Sequence, residues 1–175
     1  MPNIGRSRDP NPSSTTGAPS DIPVERPAAL ARLEALLGEW DMEAEFGAGY
    51  FGPDSPSLAA RGSRTTVEWL KGEFFLVQRF SADNPTGPSG IAIIGTEEES
   101  DRFSQHYYDS RGVARVYQMS LKDGVWKLWR EAPGFWQHYT GVFSGDGETV
   151  KGAWEASPDG SKWKRDFGLT YHKSA

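Results

Sequence analysis

Four arginines stand on segments whose other residues are largely apolar: Arg79 in EFFLVQRFS, Arg115 in VARVYQMSL, Arg130 in GVWKLWREA and Arg165 in WKRDFGLTYHK. A guanidinium is not buried alone, because an unpaired charge in a protein interior is strongly unfavourable. Each of the four must pair with a carboxylate, reach solvent along its own stem, or meet an acidic or oxygen-rich ligand. Tyr117, Gln137 and Tyr139 lie on similar segments and carry groups that could fix the same polar end. The chemistry these residue types offer is recognition. The candidate ligand-binding set is Arg79, Arg115, Tyr117, Arg130, Gln137, Tyr139 and Arg165.

Catalytic chemistry has less material. The chain has no cysteine, which removes disulfides, thiolate metal sites and cysteine nucleophiles, and it has only three histidines. GDGETVKG lacks both the GxGxxG spacing and a Walker lysine, and SPDGSK lacks the alternating acids of a calcium loop. No GxSxG nucleophile motif occurs. His106, in FSQHYYD, would be a candidate general base or haem ligand if it faced an interior, but a structural or exposed histidine is the expectation. The acidic run EEES at 97–100 reads as a solvated turn. Catalytic residues therefore stay unassigned, and neither a cofactor nor a metal site is predicted. A net charge of −5, with Lys and Arg scattered among the acids, argues against a nucleic-acid footprint.

These residues need elements to position them. RPAALARLEALLGEW reads as one short amphipathic helix, with Leu30, Leu33, Leu36 and Leu37 on one stripe, Pro27 at its first turn and Gly38 at its stop. The period then changes. In WDMEAEF, Trp40, Met42, Ala44 and Phe46 alternate with Asp41, Glu43 and Glu45, the pattern of a half-buried strand. Further strands are expected near 61–70, 73–81, 90–96, 102–109, 113–121, 124–131, 135–144, 148–156 and 162–172. Turn sequences such as DNPTGPSG, DSRG, LKDG, SGDGET and SPDGSK separate them.

About ten sequential strands with short connections predict an all-β fold, a single antiparallel up-and-down barrel with one short N-terminal helix at an end. Closure removes the exposed edges. Alternation predicts an inner face carrying Trp126, Leu128 and Arg130; Tyr117, Met119, Leu121 and Arg115; Val150 and Trp154; and Trp163, Phe167, Leu169, Tyr171 and Arg165. Phe135, Gln137, Tyr139 and Phe143 share one face of their strand, with Trp136 and His138 on the other.

The barrel domain is placed at 28–175. Residues 1–27 hold six of the twelve prolines and no apolar run, and read as a disordered tail. That segment lacks the hydrophobic stretch of a secretory signal, and no run approaches the roughly 20 apolar residues of a membrane helix. The expected location is the cytoplasm, with no membrane partner.

LLGEW followed by an alternating strand, then DSRG, MSLKDGVWKLWREAPGFWQ, TGVFSGDGETVKGAWEASPDG and WKRDFGLTYHK, resemble an uncharacterised bacterial calycin-like family over residues 28 to 173. The resemblance implies a lipocalin-like barrel and no activity, since the family is a domain of unknown function. Trp40 in GEW is similar to the glycine–x–tryptophan that closes one end of lipocalin barrels. More distantly, the pattern is similar to nitrobindin and fatty-acid-binding barrels. Nitrobindins usually have a glycine two residues after this tryptophan, where Met42 stands here.

Four readings, in three classes, follow as expectations. The barrel binds a small, mostly apolar molecule with a polar or anionic end. Alternatively it is a small β-barrel cyclase or isomerase that orients a reactive substrate, or a haem-binding nitrobindin-like barrel. A third class is a structural module that forms a homodimer through an outer face carrying Trp129, Trp136 and His138.

Overall fold

The computed structural model of the chain describes residues 25–83, 87–96 and 102–174. Most of the expected tail, residues 1–24, and the acidic turn at 97–100 lie outside the described residues. A helix over Ala28–Leu36 precedes ten strands: β1 (Gly38–Phe46), β2 (Leu58–Trp69), β3 (Phe75–Ser81), β4 (Gly90–Thr96), β5 (Phe103–Asp109), β6 (Ala114–Lys122), β7 (Val125–Arg130), β8 (Trp136–Phe143), β9 (Thr149–Ser157) and β10 (Lys164–Lys173). Every consecutive pair is antiparallel, and β1 also pairs with β10, so the sheet closes into a barrel. No helix among the described residues is long and apolar enough to cross a membrane.

The helix is of 3-10 type. At three residues per turn, positions three apart eclipse one another. Leu30, Leu33 and Leu36 therefore stack on one side and are buried, while Leu37 is only partly covered. Those leucines plug one end of the barrel together with Trp40, whose indole N–H donates to the Leu36 carbonyl at 2.9 Å. Lys173 lies over the Trp40 ring at 5.5 Å. Burial of each leucine contributes about 1.5–3 kcal/mol.

Turn chemistry is matched to this closure. Asp123 and Gly124 both have positive φ, 52° and 72°, as a two-residue hairpin turn between β6 and β7 requires. Opposite the helix, the barrel mouth is formed by the 47–57, 110–113, 131–135 and 158–163 connections.

The inner face carries a packed base of Leu76, Ile94, Phe103, Met119, Leu121, Trp126, Leu128, Val150 and Tyr171. A residual cavity of only about 10 Å³ remains there, lined by residues including Thr65, Gln78, Trp126 and Tyr171. Toward the middle, Tyr139 lies across two facing glycines. Gly141 and Gly152 are cross-strand partners, and a Cβ on either would come within 2.6 Å of the Tyr139 hydroxyl oxygen. The glycines thus create the space that this ring fills.

The face assignment of β10 departs from strict alternation at its start. The register with β9 shifts between Arg165, opposite Glu155, and Phe167, opposite Trp154. This bulge inserts one residue and moves everything before it to the other face. Trp163 consequently stacks on His138 at 3.7 Å between ring centroids, and Arg165 pairs with Glu45 outside.

Candidate functional site

The short length of β7 organises the site. Its pairing with β6 runs from Val125 opposite Lys122 to Trp129 opposite Gln118. β6 starts four residues earlier, at Ala114, and on its other side remains paired with β5 to Tyr108 opposite Ala114. Beyond Arg130 the chain turns through Ala132, Pro133 and Gly134, where the Phe135 N–H donates to the Ala132 carbonyl at 2.9 Å. Proline has no N–H to continue a ladder. The wall therefore opens into a wedge between β6 and the departing end of β7.

A cleft of about 600 Å³ fills this wedge, lined by Tyr108, Ala114, Arg115, Val116, Gln118, Trp129, Arg130, Glu131 and Ala132. Its outer part mixes apolar and polar groups: Tyr108 and Val116 are about half exposed and Trp129 is half-buried, with Gln118 and the exposed Glu131 beside them. Its inner part meets the two arginines.

Arg115 donates through Nη1 to Gln137 Oε1 at 3.0 Å and to the Tyr117 hydroxyl at 3.3 Å. The Tyr117 hydroxyl itself donates to Gln137 Oε1 at 2.8 Å. Gln137 Nε2 donates to Asp166 Oδ2 at 3.3 Å, which fixes the amide so that its oxygen faces the arginine. The Arg115 guanidinium lies 4.8 Å above the Phe135 ring, a cation–π contact. Arg130 donates to the Phe135 carbonyl at 3.2 Å. Among the described residues, neither arginine forms an ion pair.

Both positive charges are felt at Tyr117. Burial raises the pKa of its hydroxyl, while Arg115 and Arg130 act in the opposite direction. Tyr50, from the 47–57 connection, faces Asp166, and burial together with that carboxylate raises its pKa. Behind the network stands an aromatic wall, with Trp154 5.4 Å from Tyr117 and 5.2 Å from Tyr139.

Of the seven candidate residues, Arg115, Tyr117 and Gln137 are brought into direct contact, and Arg130 lies beside them. Tyr139 is elsewhere: it is deep in the barrel, 1% exposed, with a hydroxyl that has no hydrogen-bond partner. Arg79 and Arg165 are not part of the set. Arg79 is on the outer face and pairs with Glu68, because Leu76, Gln78 and Phe80 are the inward residues of β3. Arg165 is displaced outward by the β10 bulge.

All three histidines stand away from the interior. His106 is on the outer face of β5, opposite Ile93 and Val116; His138 stacks on Trp163; His172 is exposed. A histidine-ligated haem inside the barrel has no ligand among them. Burial lowers the pKa of His138 against the opposing pull of Glu155 and Glu131. Trp136 packs on Gly160, where a Cβ would lie 2.9 Å from its ring. Among the described residues no cluster of three or more His, Cys, Asp or Glu could hold a metal ion.

Sequence reasoning missed the Asp109 cluster. The buried Asp109 carboxylate accepts from the Tyr107 hydroxyl at 2.8 Å, from Arg111 Nη2 at 2.7 Å and Nε at 3.1 Å, and from the Arg111 and Val113 N–H groups. Burial opposes its charge, but the bonds from Arg111, Tyr107 and Val113 outweigh that and hold its pKa well below the usual carboxylate range. DSRG is legible as a turn, and an aspartate that bonds the backbone two residues on is its usual mechanism.

Fold and site together define a closed ten-stranded antiparallel barrel whose wall opens at an arginine-lined rim cleft. The chain belongs to the family described as protein of unknown function (DUF1579), whose model matches residues 27–126. Among solved structures it is similar to the crystal structure of Rv2717c from M. tuberculosis, with a TM-score of 0.58 and 15% identity over 86% of this chain and 100% of that one. At that identity the likeness shows the fold alone. No curated protein matches the chain.

Proposed function

We propose that the protein binds a small, mostly apolar molecule with an anionic end, held by Arg115 and Arg130 with Tyr117 and Gln137 beside them. The observation that carries this reading is a half-buried arginine pair whose hydrogen bonds go only to neutral acceptors. A ligand oxygen entering between the two guanidinium groups would take the place that no protein carboxylate holds. Tyr108, Val116 and Trp129 would cover the apolar body. The rim cleft, rather than the packed base, has the volume expected of a ligand pocket. The same reading treats the barrel as calycin-like, supported by the helix and Trp40 that close its far end.

Dodecanoate, titrated calorimetrically against dodecanol, tests the proposal. Each of Arg115→Gln and Arg130→Gln should weaken dodecanoate binding by about ten- to a hundredfold, the worth of a charge-assisted hydrogen bond. Equal binding of the alcohol and the acid, or indifference to both substitutions, would remove the anion from the reading.

A further inference from the structure

We infer that the cleft receives the C-terminal end of an extended polypeptide, which adds as a strand to β6 and sets its terminal carboxylate on Arg115 and Arg130. The inference rests on the anion reading above and names the ligand class. Its independent support is the backbone. Ala114–Tyr117 belong to β6 and are paired with β5 on one side, while the ladder to β7 begins only at Gln118. A strand edge of this kind presents unpaired N–H and C=O groups and is a template for another strand.

Edges that must stay free are commonly blunted by lysines, prolines or inward charges. This one carries a single inward charge, Arg115, while its outward residues Ala114 and Val116 are exposed, with Tyr108, Trp129 and Glu131 on its flanks. Four residues at about 3.4 Å each make a lane about 14 Å long, enough for a tetrapeptide. Arg130 closes the lower end of that lane because it is the last residue of β7. A carboxylate reaches it only when the peptide runs from the mouth toward the base, parallel to β6. Side chains then alternate between the Val116–Trp129 surface outside and the Arg115–Tyr117 side within. Charge complementarity selects the end of a chain over its middle, since a terminal carboxylate can accept from both guanidinium groups at the point where the lane stops.

The test uses the full protein, labelled with 15N, and the peptide acetyl-Val-Thr-Val-Val with a free C-terminal carboxylate. Amide shifts should concentrate on 114–118 and 129–132. The C-terminal amide of the same peptide, and the acid against Arg115→Gln, should each bind at least about tenfold more weakly. A peptide N-methylated at alternate backbone amides keeps its carboxylate but cannot complete the ladder, so one of the two methylated registers should lose binding. Acid-peptide binding that survives both N-methylated registers overturns strand addition. Dodecanoate binding that depends on Arg115 while the acid peptide produces no shifts overturns the peptide and leaves the anion site standing. Failure of both probes overturns the two readings together.

Discussion

Tyr139→Phe should make the protein more stable. The hydroxyl is buried at 1% residue exposure and has no hydrogen-bond partner, whereas in the unfolded chain it is hydrated. Stranding such a group costs about 1–3 kcal/mol. The ring keeps its contacts with Trp126 and Trp154, at 5.3 and 5.2 Å between centroids. Removing one oxygen between Gly141 and Gly152 leaves a void of about 10 Å³, which at 24 cal/mol per Å³ costs only about 0.2 kcal/mol. The net expectation is a gain of about 1–2 kcal/mol, or roughly 2–8 °C in Tm for a chain of this size. Urea denaturation at pH 7, followed by tryptophan fluorescence, should give a higher midpoint at an unchanged slope. A second axis comes from ionisation. Burial raises the pKa of Tyr139, so above about pH 10 the unfolded state loses this proton while the folded state retains it. Wild-type stability then falls by up to about 1.4 kcal/mol per pH unit from this residue alone, and the Phe variant escapes that loss. Its advantage should widen between pH 10 and 11. A variant less stable than wild type at pH 7 by more than about 0.5 kcal/mol would refute the reasoning, because the hydroxyl would then have to be making a favourable bond.

Three further outcomes follow from the same geometry. Gly141→Ala and Gly152→Ala should each destabilise by about 1–3 kcal/mol through overpacking. Only the first should be fully relieved by Tyr139→Leu in a double-mutant cycle, since the three atoms nearest a Cβ at Gly141 all belong to Tyr139, while one at Gly152 also meets the Thr140 carbonyl at 2.6 Å. Asp109→Asn should lower stability at pH 7. Its folded carboxyl pKa is depressed, so the wild-type advantage is full above the unfolded value near pH 4 and should shrink as acid titration proceeds below it. Arg79→Ala and Arg165→Ala should leave dodecanoate binding unchanged and lower the unfolding free energy by under about 1 kcal/mol, because each forms an exposed pair with a glutamate.

Strand existence, order and most faces were legible because each strand is bounded by explicit turn residues and one face of a closed sheet must be apolar. Trp40, Trp126, Leu128, Val150 and Tyr171 all point inward as their alternation implies. The helix was legible as an apolar stripe, but spacing alone did not separate a 3.6-residue from a 3.0-residue period over nine residues. Leu30, Leu33 and Leu36 are compatible with both, and Leu37, read as part of the stripe, lies beyond the helix in extended backbone.

Arginine orientation was the harder problem, and it failed for two different physical reasons. In β3 both faces are apolar, so alternation had no polar face to set against Arg79; Gln78, rather than the arginine, turned inward, where it lines the small residual cavity with Tyr171. In β10 the pattern was clear from Phe167 onward, but a single extra residue inverted everything before it. A bulge has no strong signature in a sequence that is otherwise apolar and polar by turns. Arg115 and Arg130 line one cleft, and what brings them to it is a feature of neither arginine. It is the early end of β7, written in Ala132-Pro133-Gly134, which leaves four residues of β6 without a β7 partner and opens the wall where the two charges stand. A loop extended by enough residues to carry β7 alongside Ala114 would close that gap, give each backbone group a partner, and force the arginines to find carboxylates of their own.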